Sequence, residues 1–232
     1  MERTECSVAA MCAIAGSLLL LTGTYLHPVP ADPNDAVQAF AAYARDRFWV
    51  PSHLMQLVGA ILALASLLIV ARRLQRRTTT VWSHLASAGA FASIALTAAL
   101  QAVDGIALRV MVQNWATAAL TQKPIAFQSA FAVRQLEIGL ASVLSILLGA
   151  TATLYGVAFL GNRTYPRWLG ALAIVGGVPT SLSGIVMAFS GFSGLEMAIN
   201  MPDQSHTRGL VDDAGILSLA PRIVETIKPT LP

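Results

Sequence analysis

The sequence predicts an all-α integral membrane protein: a helical bundle of five transmembrane spans with a short amphipathic helix in the first outer loop. Three observations carry this. Only 12% of the 232 residues are charged, about half the share found in soluble domains. Five runs, 6–31, 48–71, 78–103, 138–162 and 168–195, contain no Asp, Glu, Lys or Arg, and each is 24 residues or longer. A helix needs roughly 20 apolar residues to cross a bilayer, and a soluble core helix seldom goes so far uncharged because one face meets water. Finally, arginines gather in short connections between the runs. Arg72, Arg73, Arg76 and Arg77 fall within six positions, and Arg163 and Arg167 flank the next such connection. Short arginine-rich loops stay on the cytoplasmic side.

The first span is expected over 7–26. It is longer than the apolar core of a secretory leader, about 7–15 residues, so a retained span is the preferred reading and a leader cleaved near Ala31 the competing one. Tyr25 and His27 stand where the helix leaves the membrane, and Pro28 and Pro30 stop it. In the first outer loop, Asp32 is a suitable N-cap with Pro33 after it. Val37, Phe40, Ala41 and Ala44 then share one face of an amphipathic helix lying on the outer surface and ending around Phe48–Trp49. The second span is expected over 51–71, entered at Pro51 and closed by the arginine cluster.

The third span runs over 82–103, and its helix continues to Trp115. The fourth helix starts near Pro124, with its span over 137–160. The fifth span, 168–189, contains Pro179, whose freed carbonyls Thr180, Ser181 and Ser183 can cover. Residues 191–232 form a polar carboxyl-terminal tail. With five spans, the amino terminus lies in the cytoplasm and the tail outside.

Small or hydroxylated residues recur at every fourth position on the third span (Gly89, Ser93, Thr97, Gln101, Gly105). The fourth repeats the pattern (Glu137, Ala141, Ser145, Gly149, Thr153). Such stripes let helix backbones approach closely in lipid. These two are expected to face one another at a right-handed crossing.

Three helices carry a polar pair at i, i+3 near the outer surface: His53/Gln56, Gln101/Asp104 and Arg134/Glu137. Residues three apart share a helix face, and ionisable groups inside a bilayer turn inward and find partners. Two readings stay open. In one the six form a structural network, with Arg134 paired to Glu137 and Asp104 to Arg109 or Arg134. In the other they line an outward-facing pocket that binds a small molecule or does acid–base chemistry through His53, Asp104 and Glu137. The chain has no HExxH, CxxC, phosphate-loop or GxSxG motif, which argues against zinc metalloproteases, P-loop nucleotidases and serine hydrolases. No cofactor or metal is expected. His53 and His84 lie at opposite faces, roughly 30 Å apart, too far to share a haem, and His27 sits at a loop. A net charge of +3 with a pI near 9.2 reports topology rather than nucleic-acid binding. The bilayer is the expected partner, with a membrane protein or a second copy as a further one.

The stretches FWVPSHLMQLVG (48–59), LQAVDGIALRVMV (100–112), RQLEIGL (134–140) and YPRWLGALAIVGG (165–177) resemble a loosely defined group of bacterial multi-span membrane proteins without assigned function. The resemblance implies six spans, the last following a segment like GFSGLEMAINMP. That segment stands here at 191–202 and leads into the polar tail instead. No activity comes with the resemblance. The functional expectation is a membrane protein that binds or moves a small solute through the outer-facing polar pocket. An intramembrane enzyme and a structural subunit are the alternatives.

Orientation is directly testable. A Gln75→Cys variant in a C6S/C12S background is expected to resist a membrane-impermeant thiol reagent in intact cells and to react after permeabilisation. Labelling in intact cells would invert the topology.

Overall fold

The computed structural model describes residues 3–27, 35–74, 79–162 and 164–192, and within them the chain is helical apart from short turns, with no strand. The helices are α1 (Arg3–Leu26), α2 (Ala36–Arg45), α3 (Trp49–Leu74), α4 (Thr80–Gln101), α5 (Arg109–Thr117), α6 (Lys123–Leu160) and α7 (Arg167–Ser190). A π-helical turn, Ala102–Leu108, joins α4 to α5 without a break. Five segments are long and apolar enough to cross a membrane: α1, α3, the continuous helix Thr80–Thr117, α6 and α7. Each contains one of the five expected spans. Arg76, Arg77, Arg163, Asp32, Pro33 and the tail from 193 onward lie outside the described residues.

Two local expectations change. The first-loop helix begins after Asp35, whose carboxylate accepts from the backbone N–H of Val37 and Gln38 at 3.1 and 3.0 Å. It stops at Arg45, because the Asp46 carboxylate instead captures the N–H of Phe48 at 2.8 Å and turns the chain into α3. Its buried face is Ala39, Phe40 and Tyr43, while Val37 is exposed. The helix therefore covers the bundle end, packing with Trp49, Leu108, Val112 and Ala130. Pro51 falls in the first turn of α3, where a missing N–H costs nothing.

The spans pack in sequence, α1 on α3, α3 on α4, α4 on α6 and α6 on α7. The two outermost contacts share one device. The buried residues of α1 are Ala9, Gly16 and Gly23, seven apart; on α3 Ser52, Gly59 and Ser66 are also seven apart and buried, and Gly16 meets Gly59 while Gly23 meets Ser52. A Cβ added at Gly16 would lie 2.7 Å from the Ala63 nitrogen, and one at Gly23 2.7 Å from the Ser52 carbonyl oxygen. In the α6–α7 pair, Ser142, Gly149 and Gly156 face Gly184, Gly177 and Gly170. Ser142 donates to the Gly184 carbonyl at 2.9 Å, and Ser181 to the Ile146 carbonyl at 3.2 Å. Ser181 thus bonds across the interface, while Thr180 covers its own helix at Gly176, 2.8 Å away. Small residues remove the side-chain bulk that separates helices, and packing rather than water exclusion holds helices together in lipid.

The four-residue stripes therefore do not simply face each other. A four-residue step drifts about 40° round the helix each time, whereas a seven-residue step drifts only about 20°. Over 137–153 the fourth-span stripe turns onto another neighbour, and Gly149 and Thr153 meet Gly177 of α7. The third-span stripe likewise changes partner. Gly89 sits on Thr151 of α6, while Gln101 and Gly105 meet Gln56 and His53 of α3. The seven-residue period of the α1–α3 and α6–α7 contacts is the spacing of left-handed helix pairs.

Adjacent glycines give an internal control. A Cβ at Gly177 would meet the backbone of Gly149 and Thr153, whereas one at Gly176 meets nothing within 4 Å. Gly177→Leu is expected to destabilise the detergent-solubilised protein by roughly 1–3 kcal/mol, the usual cost of overpacking. Gly176→Leu should fall within about 0.5 kcal/mol of wild type, as at open positions. Thermal unfolding followed by helicity checks both.

Candidate functional site

The α2 end of the bundle gathers the buried ionisable groups. His53 is buried, with 2% of its surface exposed. Its Nδ1 lies 2.6 Å from the Trp49 carbonyl oxygen, one turn earlier on α3, with the Ser52 hydroxyl 3.4 Å away. Its Nε2 lies 2.9 Å from Asp104 Oδ2. Asp104 thus pairs with His53, not with Arg109 or Arg134. Arg109 is held elsewhere, donating to the Tyr43 carbonyl.

The π turn makes this pairing possible. Asp104 and Gly105 both lie within it. A Cβ on Gly105 would sit 2.6 Å from the His53 Cβ, so only glycine lets the imidazole lie against the backbone here. The Trp49 indole N–H donates to the Asp104 main-chain carbonyl at 3.1 Å. Histidine and tryptophan, one turn apart on α3, therefore grip the same residue by side chain and backbone. Single π turns inside α-helices occur often at functional sites.

Around this pair stands an aromatic wall. Ring centroids of Tyr43 and Trp49 are 4.3 Å apart, those of Trp49 and His53 4.6 Å, and His27 lies 5.1 Å from Trp49 and 5.0 Å from His53. Arg134 and Glu137 are 3% and 5% exposed and bonded to one another at 3.1 Å. Arg134 also donates to the Tyr43 hydroxyl at 3.2 Å, and its guanidinium faces the Tyr43 and Phe192 rings. Burial pushes the Tyr43 phenol above its ordinary range. Arg134 opposes that rise, and the Glu137 and Asp104 carboxylates add to it. The phenol stays protonated at any physiological pH.

The six sequence-derived residues thus resolve into three bonded pairs. His53–Asp104 joins α3 to the π turn, and Arg134–Glu137 lies within α6. In the third pair, the Gln101 amide donates to Gln56 Oε1 at 3.3 Å, again joining α3 to α4. Tyr43 and Trp49 were not among the six, although Trp49 stands at i−4 from His53, a spacing that places the two on one face. Tyr43 carries no such mark, because its role comes from how α2 folds over the bundle. Two surface grooves, of about 380 and 330 Å³, lie elsewhere. One is formed by Val37, Trp115, Lys123 and Phe127, the other by α3, α6 and α7 around Leu64, Thr151 and Gly177. None of the six lines either groove.

A second polar feature runs down α4. Ser93, Thr97 and Gln101 are buried at four-residue intervals, and Ser93 Oγ, Thr97 Oγ1 and Gln101 Oε1 have no protein hydrogen-bond partner. Thr151 Oγ1 on α6 is in the same condition beside Gly89, one turn below Ser93. Tyr155, a turn further along α6, has Ser87 close by but no hydrogen bond of normal geometry. Serine and threonine inside a helix commonly bond the carbonyl four residues back, as Thr153 and Ser87 do here. Ser93 and Thr97 do not.

The Arg134–Glu137 bond has a measurable weight. Removing one member of a buried ion pair costs about 3–5 kcal/mol because the other charge is left uncompensated. Arg134→Met is expected to lower unfolding stability in detergent by that order, and Arg134→Met with Glu137→Leu to recover most of it. Equal losses in the single and double variants would show that the pair is not what holds this region. Comparison with protein-family models, curated proteins and solved structures finds no match, so the functional reading rests on this geometry.

Proposed function

We propose that this chain is a multi-pass protein of a bacterial inner membrane, its α2 end outward, that binds a small polar species at that end and passes protons along the α4 seam. The observation that carries the reading is the row of unpartnered buried oxygens, Gln101, Thr97, Ser93 and Thr151, beginning one helical turn from Asp104. Leaving a buried polar atom unsatisfied costs about 1–3 kcal/mol, so such atoms ordinarily bind water. Four of them in file make a path for water-borne protons rather than a random set of defects. The direct bonds among His53, Asp104, Arg134 and Glu137 favour a water-sized occupant over a bulky amphipathic one. Arginines at the opposite end of α3, Arg72 and Arg73, support the orientation.

The test uses isosteric changes. Thr97→Val and Thr151→Val keep side-chain shape and remove hydroxyls that bond no protein group, so neither should disturb folding. In liposomes enclosing a pH-sensitive dye and driven by a potassium gradient with valinomycin, the wild-type chain is expected to carry protons faster than empty liposomes. The double variant should slow this on the order of tenfold, the effect of about 1.4 kcal/mol of added barrier. Flux no greater than in empty liposomes, or unchanged in the double variant, would refute the proposal.

A further inference from the structure

We infer that His27, His53 and Asp104 form a binding site for a divalent first-row transition cation at the α2 end, with Zn2+ the natural probe. One ligand atom from each of the three lies within 4.8 Å of the others. The inference stands apart from proton passage and does not depend on it.

The argument begins with the imidazole of His53. A carbonyl oxygen can only accept, so the 2.6 Å contact with Trp49 places a hydrogen on Nδ1. Nε2 then points at Asp104 Oδ2, itself an acceptor, 2.9 Å away. Two lone pairs cannot face one another at that distance. Something positive must lie between them, either a proton, held by the ring or by the carboxyl, or a cation shared by both atoms. A metal-binding histidine has this arrangement: one ring nitrogen donates to a backbone carbonyl, which fixes the tautomer and directs the other nitrogen to the metal.

His27 supplies the third ligand. It follows the last turn of α1, its N–H bonded to the Thr24 carbonyl at 3.2 Å, and it is only half-buried. A terminal side chain can swing by the ångström or so needed to bring its nitrogen to about 2.0–2.1 Å from a metal. Two imidazoles and one carboxylate suit Zn2+ and Fe2+ rather than Mg2+ or Ca2+, which prefer all-oxygen shells. Three protein ligands leave a fourth position for water, as in catalytic rather than structural zinc sites. Asp104, 16% exposed, keeps that position within reach of solvent. The Trp49 and Tyr43 rings wall the other side, and the indole bond to the Asp104 carbonyl fixes the carboxylate-bearing turn.

The sequence led to an expectation of no metal because it holds no metal-binding motif and His27 was read as part of a loop. Only the α1–α3 contact, in which Gly23 meets Ser52 and Gln56, brings the two histidines together. His84, the other histidine among the described residues, is exposed near the start of α4 and serves as a control.

The test is a Zn2+ titration of the full chain, untagged and in detergent, in a C6S/C12S background to remove thiolate ligands. One equivalent should bind with micromolar or tighter affinity and raise the unfolding temperature. His27→Gln lies at the helix end and leaves the His53–Asp104 bond in place. It should weaken binding by about 100-fold or more, beyond the 10–100-fold effect of losing an outer-sphere contact, and abolish the thermal shift at equal metal. Asp104→Asn should do the same, while His84→Gln should bind as the parent does. Substituting Co2+ should give visible absorption that disappears in His27→Gln. Absence of stoichiometric binding, or binding that survives both His27→Gln and Asp104→Asn, would overturn the inference.

Discussion

The contact on which the α2 end depends is the seating of His53 against the π turn of the third span. Three features have to coincide for it. Gly105 leaves no side chain where the imidazole lies, the π turn carries Asp104 into reach of Nε2, and the Trp49 indole holds the same residue by its carbonyl. In a hydrocarbon surround each polar group left alone would be costly. Here the costs are offset together, because histidine, tryptophan and aspartate satisfy one another across two helices. α2 then closes over the assembly, its Tyr43 joining Trp49 on one side and Arg134 on the other. Among the described residues, the buried ionisable groups His53, Arg134 and Glu137 are thereby gathered at one end.

The helix pairs on either side of this contact owe their closeness to small residues at seven-residue spacing. Ala9, Gly16 and Gly23 on α1 and Gly170, Gly177 and Gly184 on α7 are buried against α3 and α6. These are rigid seams, with backbone against backbone and few side chains to adjust. The α4 seam differs. The side-chain oxygens of its Ser93, Thr97 and Gln101 are not bonded to their own helix or to a neighbour. A molecule built from two tightly zipped pairs and one polar seam between them concentrates its capacity to hold water at the centre.

Much of this was legible in the sequence, for identifiable reasons. Hydrocarbon tolerates few charges, so uncharged runs mark spans regardless of what packs on them. α1, α3, the third-span helix, α6 and α7 accordingly fall where the charge gaps place them. The i, i+3 pairs marked residues that do bond to one another, because polar groups in an apolar helix must meet something. Which residue met which was not legible. Arg109 and Arg134 were as plausible for Asp104 as His53 was, since Coulomb attraction has no sequence signature. The choice falls to Gly105 and the π turn, and nothing in AVDGIAL announces an extra residue per turn. His27 and Tyr43 were missed as contributors because their positions depend on how α1 and α2 pack, not on any local period. The small-residue stripes were assigned to a single facing pair: steps of four and seven both occur in so glycine- and alanine-rich a chain, and the packed partners use the step of seven at α1–α3 and α6–α7, while α4 buries Ser93, Thr97 and Gln101 at steps of four.

The account rests on α3 and the π turn being in contact through His53 and Gly105, and a cross-link reports that contact most directly. In a C6S/C12S background, His53→Cys with Gly105→Cys places two Cβ atoms within the roughly 3.5–4.5 Å that a disulfide spans, after a small outward shift. Mild oxidation of native membranes should link them nearly completely, whereas His53→Cys with Ile106→Cys, whose side chain is exposed, should stay unlinked. Failure of the 53–105 pair to form in a protein that still assembles in the membrane, or equal linking of 53–106, would contradict the seating of His53 on which the candidate site depends.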